Sequence, residues 1–95
     1  MPAIGVLILE IRLEHSHSLK DKRHVIKSLK DRLRNKFNVA VAEIEYQDLW
    51  QRAALAAVTV SSDHSHAERI LQSVEQEAAA LLGGGLANAT LEWLS

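Results

Sequence analysis

Ninety-five residues, 47% hydrophobic and 24% charged, suit a single soluble domain over 1–95 with a core that closes but leaves little margin. The lack of cysteine excludes disulfides, thiolate metal sites and thiol catalysis, and without a cationic leader or an apolar run of about 18 residues the expectation is a cytoplasmic protein with no membrane partner. The net charge of −1 hides a dipole: from Lys20 to Lys36 eight Lys or Arg face two Asp, a balance of +6, while the remainder carries three against ten, or −7.

Ala3 to Glu14 predicts a long first strand. Leu7, Leu9, Ile11 and Leu13 share one face, and Ile4, Val6, Ile8, Glu10, Arg12 and Glu14 the other, so its first half is apolar on both sides and belongs inside a sheet. His15 to His17 connects it to an amphipathic helix predicted over Ser18 to Phe37. Ser18 with Asp21 three positions on forms a capping-box-like start. Val25, Ile26, Leu29, Leu33 and Phe37 recur at helical spacing as its buried stripe, and Lys20, Arg23, Lys27, Lys30 and Arg34 line one edge of that stripe. Lys20, Lys22 and Arg23 stand in the first turn, where the helix dipole disfavours cations, so an anion held there by free N–H groups and ammonium groups is one expectation.

Asn38 suits a helix stop, Val39 to Glu45 predicts a second strand, and Tyr46 to Gln51 a turn into a third strand from Arg52 to Ser62 that is apolar on both faces. A second helix is expected from Ala67 to Leu82, with Ser65 and Glu68 as its capping pair. Gly83, Gly84 and Gly85 end it; with no strand-to-helix junction and no following Lys-Ser/Thr they read as a stop, not a phosphate cradle. Leu86 to Leu94 completes the chain as a fourth strand.

The order strand, helix, strand, strand, helix, strand predicts an α+β, ferredoxin-like βαββαβ domain, a four-stranded sheet, antiparallel overall, with both helices on one face. The doubly apolar first and third strands belong at its centre, where they are expected to run parallel. Ile4, Val6 and Ile8, facing away from the helices, would then be uncovered, and a homodimer through that face is expected. Parallel central strands would also bring together Glu14-His15-Ser16-His17-Ser18 and Asp63-His64-Ser65-His66-Ala67, making His17 and His66 candidate metal ligands with Asp63 or Glu14 in support. Helix capping and solvation account for the same residues without a metal, and no cofactor is expected.

Ser18-Leu19-Lys20-Asp21-Lys22-Arg23, the following Val25-Ile26-Lys27-Ser28-Leu29, Lys36-Phe37-Asn38-Val39 with Val41-Ala42-Glu43, and Asp48-x-Trp50-Gln51-Arg52 together resemble the signatures of the YlxP-like family, bacterial domains of unknown function. The resemblance covers nearly the whole chain. It implies a ferredoxin-like fold and, because genes of this family often lie among translation and ribosome-maturation genes, a ribosomal or RNA partner by association. His15 and His64 lie outside the family pattern.

Three functions are therefore open. An RNA- or ribosome-associated binding module would use Lys20, Lys22, Arg23, Lys27, Lys30 and Arg34 for phosphate contacts; the presumed central strands carry no aromatic side chains, so base reading by the sheet is not expected. A protein-interaction module would use Ile4, Val6 and Ile8 together with Asp48 and Trp50, the latter packing at the sheet end, on a dimer mate, or on a base. A metal-linked enzyme would use the two His-x-His segments. Catalysis has little else to rest on, since the loop after the first strand lacks the glycine of an acylphosphatase-type phosphate loop and carries Glu14.

Overall fold

The computed structural model describes residues 1–95. Strand β1 spans Ala3–Arg12, helix α1 Leu19–Lys36, β2 Ala40–Glu45, β3 Arg52–Ser61, α2 His64–Leu82 and β4 Leu86–Trp93, with a 3₁₀ turn at Gly83–Gly85 joining the last two. The four strands form one sheet in the order β2-β3-β1-β4, every neighbouring pair antiparallel. This is the expected α+β, ferredoxin-like arrangement, with its element boundaries mostly within two residues of those read from the sequence.

The expected parallel pairing of the central strands is wrong. Strand β1 pairs with β3 antiparallel over ten residues, from Ala3 opposite Ser61 to Arg12 opposite Arg52. The reason is topological. The α1 crossover returns the chain so that β2 runs in the direction of β1, and the hairpin after β2 then reverses it, so β3 must oppose both. The segment after β1 and the segment after β3 therefore leave opposite ends of the sheet, separated by about 30 Å of strand.

Alternation divides the sheet into two faces. On β1, Ala3, Gly5, Leu7, Leu9 and Ile11 are buried under the helices, and Ile4, Val6 and Ile8 lie half-buried on the other side. The core joins Leu7, Leu9 and Ile11 to Ala53, Leu55 and Ala57 of β3 and Val41 of β2, below Ile26, Leu29 and Leu33 of α1 and Leu71, Val74 and Ala78 of α2. Alanine at 53, 57 and 78 keeps the helix layer close to the sheet. No helix covers the opposite face, where Ile4, Val6 and Ile8 pair across the ladder with Val60, Val58 and Ala56.

Helix α2 starts earlier than expected. Asp63 is its N-cap, the carboxylate accepting from the Ser65 N–H at 3.1 Å, so His64, Ser65 and His66 lie in the first turn and not in a loop. An aspartate directly before the segment competes well with serine as a cap. At the far end Gly83 takes φ 62, a left-handed conformation that a side chain disfavours. The C-terminus is tied down: Ile4 N–H donates to the Ser95 carbonyl at 3.0 Å and Leu94 N–H to the Ile4 carbonyl at 2.8 Å, carrying the β1–β4 pairing to the last residue.

Gly5 is needed for space. A Cβ there would stand 2.8 Å from Leu71 Cδ1 and 3.1 Å from Trp93 Cζ3. Gly5→Val is expected to destabilise the fold by about 1–3 kcal/mol through overpacking, seen as a lower urea midpoint with an unchanged slope.

Candidate nucleic-acid interface

Helix α1 begins as its sequence indicates. Ser18 is the N-cap and its Oγ accepts from the Asp21 N–H at 3.0 Å. The Asp21 carboxylate reaches back one residue further than a capping box requires, accepting from the His17 N–H at 3.1 Å.

One member of the expected cationic set is withdrawn from the surface. Lys22 continues the row Ile26, Leu29 and Leu33 toward the N-terminus and is only 1% exposed. Its ammonium lies 3.0 Å from Glu43 Oε2 of β2 and donates a hydrogen bond to the Tyr46 carbonyl. Glu43 Oε2 makes no hydrogen bond of its own, so its contact with Lys22 is chiefly Coulombic. Lys22 is therefore not an anion ligand. A lysine spaced four residues before Ile26, opposite a glutamate that alternates with buried Val41, was the signal in the sequence for this pairing.

The same contacts immobilise the β2–β3 hairpin. Tyr46 has φ 65, the one non-glycine residue with positive φ, and presents its carbonyl to Lys22. Leu49 N–H also donates to this carbonyl, at 3.0 Å. The Arg52 guanidinium stacks 4.0 Å from the centre of the Tyr46 ring. Gln51 Nε2 donates to the carbonyls of Glu14 (3.3 Å) and Ser16 (3.1 Å), and the Leu13 N–H donates to the Gln51 carbonyl (3.0 Å). The end of β1, the start of α1 and the hairpin are thus one connected assembly.

The two flanks of α1 differ in what they meet. On the side facing α2, Arg32 lies 3.5 Å from Glu77 Oε2 and Lys36 bonds Glu77 Oε1. The other side lies toward the free edge of β2, where Arg34 donates to the Val41 carbonyl at 2.6 Å. At about 100° per residue, Lys20, Arg23, Lys27 and Lys30 fall on that side with Arg34. Lys20, Arg23 and Lys27 are exposed and Lys30 half-buried. Lys27 pairs with Asp31 at 2.7 Å, whereas Lys20, Arg23 and Lys30 have no carboxylate within bridging distance. A shallow depression of about 550 Å³ follows Lys20, Asp21, Arg23, His24, Val25 and Lys27.

Two carboxyls respond to these cations. The hydrogen bond from Lys27 holds Asp31 below its ordinary 3.8, and that from Lys36, reinforced by Arg32, holds Glu77 below 4.5.

The remaining candidates are dispersed. His15 and His17 stand at the hairpin end of the sheet, His64 and His66 at the opposite end, so antiparallel pairing removes the basis for a shared metal site, and no cluster of three His, Asp or Glu in the chain could hold an ion. His64 instead packs edge-on against Trp93, centroids 4.8 Å apart, and its Nε2 donates to the Ser95 carbonyl at 3.0 Å. Trp50 is 53% exposed at the hairpin tip beside exposed Asp48. A cleft of about 650 Å³, not foreseen from the sequence, lies where Leu13 to Ser16, Asp21 and Val25 meet Leu82, Gly84 and Ala87.

Residues 4–88 match the family described as Protein of unknown function (DUF503). The chain belongs to this family. A relative in Bacillus subtilis (strain 168), the "Uncharacterized protein YlxP", is 44% identical over 71 residues, 75% of this chain and 77% of that protein, in keeping with the resemblance carried by Ser18–Arg23 and Asp48–Arg52. Among solved structures, the de novo designed protein Foldit4 superposes with a TM-score of 0.60 at 12% identity, covering 100% of this chain and 98% of the design. A C-terminal segment of the alpha subunit of aIF2 from Pyrococcus abyssi superposes with a TM-score of 0.57 at 20% identity, covering 95% of this chain and 49% of that one. At such identities the likeness is one of fold alone.

Replacing Lys22 by Met leaves Glu43 without its cation and the Tyr46 carbonyl with the Leu49 N–H as its one remaining donor, and is expected to cost about 3–5 kcal/mol. Adding Glu43→Leu should recover most of it, a coupling measurable by urea denaturation of both single variants and the double. Because Glu77 has a depressed folded-state value, the stabilisation it contributes is present above pH 4.5 and lost as pH falls through that lower value. The stability difference between wild type and Glu77→Gln should therefore be constant above pH 4.5 and shrink in more acidic solution, as followed by thermal unfolding at stepped pH.

Proposed function

We propose that this chain is an RNA-binding module of a ribosomal or pre-ribosomal particle, its basic α1 flank lying along a phosphate backbone. The observation that carries this reading is the segregation of Lys20, Arg23, Lys27, Lys30 and Arg34 on the flank turned away from α2, in a chain otherwise strongly acidic. From Lys20 to Arg34 the row extends about 21 Å along the helix axis, enough to follow several successive phosphates. A membrane surface is a poorer fit, because the apolar stripe that a surface-lying helix would insert is buried here in the core. The gene neighbourhood of the family favours a ribosomal RNA among possible RNAs.

The module works as a homodimer through its open sheet face. Ile4, Val6 and Ile8 with Ala56, Val58 and Val60 make that face apolar, and Val60 is 57% exposed in the single chain. Stacking two such faces leaves the helices on the outside of both copies. Two basic flanks are then presented by one particle, which raises avidity wherever a target offers two backbone segments.

Replacing Lys20, Arg23, Lys27 and Lys30 by Gln should abolish binding to structured RNA while leaving the circular dichroism spectrum and unfolding midpoint near those of wild type. Wild-type affinity should fall on the order of 10²-fold between 50 and 200 mM salt, as four phosphate contacts require. RNA binding by the fourfold variant equal to wild type would remove the α1 flank from consideration. Val6→Lys should convert the dimer to a monomer in light scattering at micromolar concentration.

A further inference from the structure

We infer that Trp50 is a stacking platform for an unpaired RNA base, set beside the phosphate track along α1. The inference rests on the RNA-binding reading above and names what kind of RNA it selects: one whose helix is interrupted by a bulge or loop.

Trp50 is unusual in being large, apolar and 53% exposed while its neighbourhood is firmly held. The one pair of aromatic rings in contact in the chain is His64 edge-on to Trp93, at the other end of the sheet, so the Trp50 indole has no ring partner of its own. Four residues before it, the Tyr46 carbonyl is bound by buried Lys22. Directly before it, the Leu49 N–H closes the turn on that same carbonyl. Directly after it, Gln51 is anchored through its side chain to Glu14 and Ser16 and through its carbonyl to Leu13. The indole therefore stands on a preorganised tip, where binding loses little conformational freedom.

The Lys22 contact decides what lies next to this tip. Because Lys22 joins the first turn of α1 to the hairpin, Lys20 and Arg23 sit at the same end of the molecule as Trp50. Arg52 adds a guanidinium two residues on, stacked over Tyr46, and Arg12 faces Arg52 directly across the β1–β3 ladder. Like charges placed opposite one another in a sheet repel, and neither arginine has a carboxylate within bridging distance.

A base suits the tip better than a protein surface does. A protein interface needs about 800 Å² on each side around an apolar centre, whereas Trp50 and Leu49 are bordered by Gln47, Asp48, Gln51 and Arg52. The Asp48 carboxylate repels phosphate, so the group received at the tip is a base face, the backbone passing to the cations on either side. Stacking on a tryptophan is tolerant of base identity, and the selection is for an unstacked base and not for a sequence.

The test compares two RNA hairpins, one fully paired and one identical but for a single bulged adenosine, titrated by fluorescence anisotropy at 50 mM salt. Wild type should prefer the bulged hairpin by roughly tenfold, within the 5- to 150-fold span set by stacking on one aromatic side chain. Trp50→Ala should lose that preference with affinity for the paired hairpin unchanged, and Trp50→Phe should keep part of it. Equal preference in wild type and Trp50→Ala, with the paired hairpin still bound and the Lys20, Arg23, Lys27 and Lys30 to Gln variant inactive, would overturn the inference and leave the basic flank standing. No binding of either hairpin by wild type would overturn both. A Trp50→Ala variant that becomes monomeric in light scattering and keeps the preference for the bulge would place the indole in a protein contact instead.

Discussion

Lys22 holds its ammonium at the base of α1 with 1% of its surface in water, between the Glu43 carboxylate and the Tyr46 carbonyl. Taking a charge from water is expensive, and a buried pair seldom returns more than it costs when compared with apolar side chains of equal volume. Its effect on this molecule is positional. One side chain joins the first helix to the second strand and to the turn beyond it, while Gln51 joins that turn to the loop after β1. Helix start, hairpin tip and the end of the central strand are consequently tied to one another. Lys22, Glu43 and Gln51, which lie in the segments that carry the family resemblance, are accounted for by this architecture without invoking chemistry on a substrate.

The surface available to a partner follows from where the acids are. Eight cations lie between Lys20 and Lys36, but Glu77 of α2 engages Arg32 and Lys36, Lys22 is buried, and Asp31 engages Lys27. What is left open is a band on the side away from α2, beside a short edge strand whose Val41 carbonyl is already occupied by Arg34. That occupancy, with the bulge between Glu43 and Glu45, also makes the β2 edge a poor template for adding another strand. The acidic remainder of the chain discourages any polyanion from approaching elsewhere, so the positive potential of a weakly negative protein is concentrated on one face.

Fold and family bound the function without stating it. The same backbone arrangement is shared with a de novo design and with a segment of an archaeal aIF2 subunit, at identities that leave no common set of site residues. An architecture reached independently by design is a stable solution to packing two helices on four strands, and function has to be read from the side chains mounted on it. Here those side chains are cations on one helix flank, an apolar open sheet, and an indole at a braced tip; none forms a nucleophile with an oriented base, and no cluster of ligands would hold a metal.

The features legible in the sequence are those governed within a turn or two of chain. Alternation in Ala3 to Arg12, the apolar row at 26, 29 and 33, the Ser18 cap and the glycine stop at Gly83 each depend on neighbours a few residues away, and the element order with its open Ile4, Val6 and Ile8 face followed from them. The direction of β3 depended instead on combining a crossover with a hairpin. That one step moved the histidine pairs to opposite ends of the sheet. The position of Lys22 was decided by a carboxylate 21 residues on and a carbonyl 24 residues on. Periodicity specifies which side of a helix is buried, but whether a lysine on that row points outward or is taken in depends on what the fold sets against it, and only the tertiary structure brought Glu43 and Tyr46 there.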